Sequence, residues 1–102
     1  MKKTILAAAV ILASIGVSQA APHHPRRLQV NTRLARQNYR IDRKEENGKM
    51  SAAEAAKLHK QDHQIRQEEK DMASQDGGHI TKQEQKVLNQ QENKVSKEIK
   101  NH

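Results

Sequence analysis

Past residue 20, apolar side chains recur at intervals of mostly seven. Val30, Leu34 and Ile41 form one set, Leu58, Ile65 and Met72 a second, and Leu88, Val95 and Ile99 a third. This spacing predicts helices that each carry a narrow apolar stripe, about one good contact per two turns. Gln37, Asp62, Glu69, Gln91 and Glu92 lie between those positions and are weak packing material. Start signals stand in front of two of the stripes. Ser51-Ala52-Ala53-Glu54 and Thr81-Lys82-Gln83-Glu84 both read as capping boxes. In such a box the hydroxyl accepts from the backbone N–H three residues on, and the Glu reaches back to the cap's own N–H. Met50 and Ile80 precede the caps, where a hydrophobic residue sets the angle of the incoming chain. Gly48, Gly77 and Gly78 supply turn backbone where positive φ is needed. Pro25 suits the first turn of a helix and holds His24 out of helical geometry. The pattern predicts an all-α chain with helices near 26–46, 51–74 and 81–100. Short loops make neighbours antiparallel, and so little burial predicts an open helical hairpin array or a marginal bundle, which a homo-oligomer could deepen.

Shifted by thirty positions, the chain matches itself. Gly48, Glu54, Leu58, Gln61, Glu68 and Lys70 fall on Gly78, Glu84, Leu88, Gln91, Glu98 and Lys100. Met50 falls on Ile80, Ser51 on Thr81, Asp62 on Glu92 and Ile65 on Val95. Leu28, Ala35 and Arg40 hold a fainter first copy in the same register, without the glycine. A period of this length predicts one loop-and-helix unit used several times.

Two resemblances follow. The segments Gly48-Lys49-Met50-Ser51-Ala52-Ala53-Glu54 with Leu58, and Gly78-His79-Ile80-Thr81-Lys82-Gln83-Glu84 with Leu88, resemble a group of small exported bacterial proteins. Those carry tandem G-x-[LIM]-[ST]-x-x-E-x-x-x-L helical units behind a signal peptide. The resemblance covers roughly residues 35–102 and implies the helical architecture; the motif carries no activity of its own. Gly48, Met50 and Glu54, like Gly78, Ile80 and Glu84, are also similar to the second half of an EF-hand loop. The first half departs from that pattern. Arg43 stands where the first acid belongs, with only Glu45 and Asn47 at ligand spacing, and Ala73, Gln75 and Gly77 offer no carboxylate. Calcium needs six to eight oxygens, and a capping box accounts for the same residues.

Ahead of the helices, Lys2 and Lys3 precede a largely apolar stretch of thirteen residues, Ile5 to Val17, and then Ser18-Gln19-Ala20. This is the layout of a secretory signal cleaved after Ala20, and thirteen residues fall short of the ~20 that span a bilayer. The expected organisation is a signal peptide over 1–20, a flexible N-terminus over 21–25 and a helical repeat domain over 26–102. No other apolar run follows, so the mature chain is expected to lack a transmembrane segment and to be periplasmic or secreted.

Composition narrows the chemistry further. There is no cysteine, which excludes disulfides and thiolate metal sites. Residues 21–102 hold eleven Leu, Ile and Val beside 29 charged residues, thin material for a core. No phosphate loop or nucleophile elbow is present, so the expectation is a protein that is not an enzyme and uses no cofactor. His59 and His63, four apart with Asp62 beside them, have metal-ligand spacing on an expected solvent face, as a weak site without a third fixed ligand. His23 and His24 near the mature N-terminus could add a minor copper or nickel site.

Charge is the most informative feature. Residues 21–44 hold seven bases and one acid, whereas 45–102 hold ten bases and eleven acids. Arg33, Arg36, Arg40 and Arg43 fall within about 80° of one another at 100° per residue. A basic face beside an apolar stripe suits an anionic surface, and Arg rather than Lys suits bidentate recognition. The expected partner is therefore an anionic envelope lipid, a polysaccharide or an acidic protein. Nucleic acid is not expected, because Tyr39 is the one aromatic available for stacking. The alternatives are a weak divalent-metal buffer, a chaperone-like stress protein of the periplasm, or a solvated face that only keeps the chain soluble.

Overall fold

Local signals decide where each helix begins and ends. In the computed structural model, which describes residues 24–102, α1 runs Pro25–Glu46, α2 Ala52–Gln75 and α3 Lys82–Lys100. The signal peptide expected over residues 1–20 lies outside the described residues. Pro25 opens α1 with His24 at φ −126° before it, held out of helical geometry. Thr81 caps α3 with the full reciprocal box: its hydroxyl accepts from Glu84 N at 3.0 Å, and Thr81 N donates to the Glu84 carboxylate at 2.8 Å. That backbone bond holds the Glu84 carboxyl below its ordinary range. The box expected at Ser51 is only half formed. Its hydroxyl accepts from Glu54 N at 3.1 Å, but the Glu54 carboxylate turns instead to His102 Nε2, 3.4 Å away.

Both turns end the preceding helix through a glycine at positive φ. Gly48 sits at +73°, and Lys49 N donates back to Lys44 O at 2.9 Å. In the second turn the same bond runs from Gly78 N to Ala73 O at 2.8 Å, so Gly77, at +67°, plays the role of Gly48. The thirty-residue register pairs Gly48 with Gly78; the hydrogen bonds show that the second turn is one residue longer.

Every helix touches both others, so the architecture is a closed three-helix bundle and not an open array. The α1–α2 and α2–α3 pairs are antiparallel, which brings α1 and α3 side by side and parallel. Val30, Leu34, Ile41, Leu58, Ile65, Leu88, Val95 and Ile99 all face the core, together with Met50 and Ile80 from the turns. Met72 is only partly covered, and the small Ala55 and Ala73 take core positions beside it. The interior is also polar: Gln37, Asp62, Glu69 and Glu92 are each at most 2% exposed. Glu69 is held by Arg27, whose Nε and Nη2 reach its two carboxylate oxygens, while Arg27 Nη1 donates to Gly78 O at 3.3 Å. One guanidinium thus ties the start of α1 to α2 and to the α2–α3 turn. No helix among the described residues is long and apolar enough to cross a membrane.

With so few apolar side chains, each should carry an outsized share of stability. Leu88→Ala is expected to cost about 3 kcal/mol, and Thr81→Ala about 1 kcal/mol through the lost cap. Urea titration followed by circular dichroism checks both; equal costs would mean that capping, not packing, holds α3.

Candidate functional site: the basic seam of the first and third helices

The four arginines expected to form one solvent-facing patch divide their work. Arg33 and Arg40 are half-buried in the seam with α3. Arg33 donates to Asn89 Oδ1 at 3.3 Å and to Asn93 Oδ1, and its Nη1 lies 3.9 Å from the buried Glu92 carboxylate. Arg40 donates to Ser96 Oγ at 2.9 Å. Arg36 and Arg43 stay exposed, with Arg43 paired at 3.4 Å to Glu46 on its own helix. The apolar stripe forces this division. It turns one flank of the arginine face into the neighbouring helix and leaves the other flank in water.

Parallel packing of α1 and α3 builds a surface that neither helix has alone. Gln29 exchanges amide hydrogen bonds with Asn89 at 3.2 and 3.0 Å and accepts another from Gln85 at 3.0 Å. Beyond this ladder Lys82, Lys86, Lys97 and Lys100 are all exposed. At 100° per residue they share an arc of about 60° on the α1 side of α3. The helix's acids are turned elsewhere: Glu92 is buried, Glu84 caps, and Glu98 lines a groove against α2. A shallow groove of about 880 Å³ runs along the lysine flank, lined by Lys82, Lys86 and amide side chains. These lysines escape a reading by segment charge, because residues 45–102 hold nearly equal numbers of bases and acids. Sorting α3 by helical angle would have separated them.

The expected histidine pair does not converge. His59 is half-buried against α1, with Nδ1 2.6 Å from Asn38 Oδ1 and Nε2 2.8 Å from Asp42 Oδ1. Both ring nitrogens are occupied, so no lone pair faces the solvent beside the exposed His63. Asp62, expected beside them, faces inward and is 1% exposed. Among the described residues no group of three or more His, Asp or Glu is arranged to hold a metal ion. The two EF-hand-like turns spend their final carboxylates elsewhere, Glu54 on His102 and Glu84 on the backbone of Thr81.

The buried carboxylates are the most perturbed groups. Glu92 is pushed up to about 7 by burial, with nearby Asp62 adding to the rise and Arg33 opposing it. Asp62 is pushed up to about 6, again by burial, with His59 opposing. Neither carboxylate oxygen of either residue has a hydrogen-bond partner, nor does Gln37 Oε1, although Gln37 Nε2 donates to Glu92 O at 2.7 Å. Sequence spacing places these residues on the buried arc but does not show that they face one another without partners.

Compared with known proteins, the chain matches no protein family, no curated protein and no solved structure.

The raised carboxylates fix the sign of a pH dependence. Above their unfolded values, near 4, the folded chain binds more protons than the unfolded one, so stability falls as pH rises. The loss should run from about pH 4.5 until both folded values are passed, near pH 8. Urea midpoints at pH 5 and pH 8 check it. Asp62→Asn with Glu92→Gln should flatten the profile and stabilise the bundle at pH 8; an unchanged slope would place the titration elsewhere.

Proposed function

We propose that this chain is an exported, non-enzymatic interaction protein that docks on an anionic component of the cell envelope through α1, with α3 completing the basic surface. The observation that carries this reading is the sorting of charge in the bundle. Arg36 and Arg43 of α1 and four lysines of α3 lie exposed on one side, and the acids of α3 are turned from it. Export rests on the Lys2-Lys3 and Ile5–Val17 pattern. The lack of enzymatic activity is supported by the position of the two carboxylates with raised proton affinity. Both are shut in the bundle interior, away from any substrate. The occupied nitrogens of His59 weigh against metal buffering.

Arginines rooted in the fold suit docking. Arg33 and Arg40 are already ordered by α3, so less side-chain entropy is lost when a partner's anionic groups arrive. Binding of this kind is electrostatic and weakens with salt. Arg36→Glu with Arg43→Glu should lower affinity for anionic probes, both phosphatidylglycerol vesicles and polygalacturonate, at least tenfold. Because both side chains are exposed, the melting temperature should move by only a few degrees. Co-sedimentation and calorimetry at low and high salt would test it. Binding to neither probe, or binding indifferent to salt and to the double variant, would sink this reading.

A further inference from the structure

We infer that the seam between α1 and α3 is a binding track for an extended acidic polysaccharide, in which exposed α3 residues, Lys86, Lys97 and Gln90 among them, act together with Arg36 of α1. This rests on the anionic-docking reading above and names the class of ligand. Three features of the seam favour a polyuronate-like chain over the other polyanions an envelope offers.

The first is shape. Lys82 and Lys100 lie at the two ends of α3, about 27 Å apart at 1.5 Å per residue, with Lys86 and Lys97 between them on the same arc. The cations therefore form a line, which matches charges repeated along a chain better than a single headgroup. The second is the material between the cations. Gln29, Gln90 and Asn93 expose carboxamides along the seam, with the half-buried Gln85 and Asn89 bonded beneath them to Gln29 and Arg33, and the groove beside α3 is lined by such amides and by lysine. A carboxamide both donates and accepts, so it can meet a sugar hydroxyl in either sense, while Arg and Lys meet the carboxylates. The third is what the seam leaves out. Docking on a bilayer uses apolar side chains at the centre of the contact plane. The two large hydrophobic residues most exposed among the described residues, Leu28 and Tyr39, are both on α1. Leu28 lies in a shallow groove with Gln29, Arg33 and Arg36, and Tyr39 about 60° around the helix from Arg36, so neither lies among the lysines and amides of α3 where the track is centred. Nucleic acid would attract the same cations but would also need faces for stacking, and the groove along α3 is lined only by lysine and carboxamide side chains.

The test uses the chain as the producing cell processes it, titrated with polygalacturonate oligomers of about a dozen sugars. Parallel titrations use monomeric galacturonate, phosphatidylglycerol vesicles and a single-stranded DNA of matched charge. The oligomer is expected to bind at least a hundredfold tighter than the monomer and at least tenfold tighter than DNA or vesicles. Lys86→Glu with Lys97→Glu should weaken oligomer binding at least tenfold. Lys60→Glu, the same kind of charge change on the exposed face of α2, should leave it within twofold. Gln90→Ala, which removes an exposed amide without altering charge, should weaken the oligomer about threefold and leave vesicle binding unchanged. Melting curves of each variant separate lost binding from lost folding. Vesicles bound as tightly as the oligomer would overturn the polysaccharide track while leaving anionic docking intact. Equal losses from Lys60→Glu and the Lys86/Lys97 pair would show diffuse attraction and overturn the track. Binding to none of the four probes would overturn both readings.

Discussion

Arg33 crosses the seam between α1 and α3 to the amides of Asn89 and Asn93, and its guanidinium approaches the buried carboxylate of Glu92. Much of the molecule turns on that crossing. It holds two parallel helices in register without a direct connection between them, where short loops set the register of the antiparallel pairs. It opposes part of the penalty that burial places on Glu92. By drawing Arg33 toward α3, it also brings the basic flank of α1 against the lysine flank of α3. Alignment, interior electrostatics and the outward charge pattern are thus linked through one side chain.

The interior is an unusual compromise. A chain with eleven Leu, Ile and Val past residue 20 cannot fill a three-helix core with hydrocarbon, so Gln37, Asp62, Glu69 and Glu92 occupy buried positions. Their settings differ. Glu69 is forked by Arg27 and is well compensated; Asp62 and Glu92 have carboxylate oxygens without partners. A buried ion pair adds little net stability, and an unpartnered carboxylate holds a proton more tightly instead of carrying its charge. The Arg27 fork does a further job, since it also clasps the α2–α3 turn. Hydrogen bonds at defined positions can select one packing where a thin apolar stripe would tolerate several, which is the role a buried polar residue plays in coiled coils.

The surface follows from the same geometry. Arginines bonded to α3 are immobilised, those on the outer arc are exposed, and the lysines of α3 extend the line. The α2 side of the bundle is mixed instead, with Glu54, Glu68 and Glu98 set among the exposed Lys57, Lys60, Arg66 and Lys70, and with Asp42 drawn to His59. A small bundle with net positive charge thereby acquires a distinct basic side. This sorting, more than the overall charge, gives the docking proposal its direction.

Sequence alone determined the three helices to within a residue of their ends. Proline at a first turn, hydroxyls at caps and glycines in turns act on backbone a few residues away and need no partner helix. The nine stripe residues were legible for the same reason, because helical periodicity is local. Only the tertiary structure decided that the array closes, since an open hairpin array and a closed bundle share one hydrophobic period. It also decided that Glu54 leaves its capping box for His102, that His59 turns to Asn38 and Asp42, and that Arg33 and Arg40 are seam residues while Arg36 and Arg43 stay exposed. The union of α3's lysines with α1's arginines was hidden in the same way. Each of these outcomes depends on which flank of one helix meets which flank of another, about 55–60 residues away along the chain for the α1–α3 contacts. That pairing is set by packing of all three helices at once.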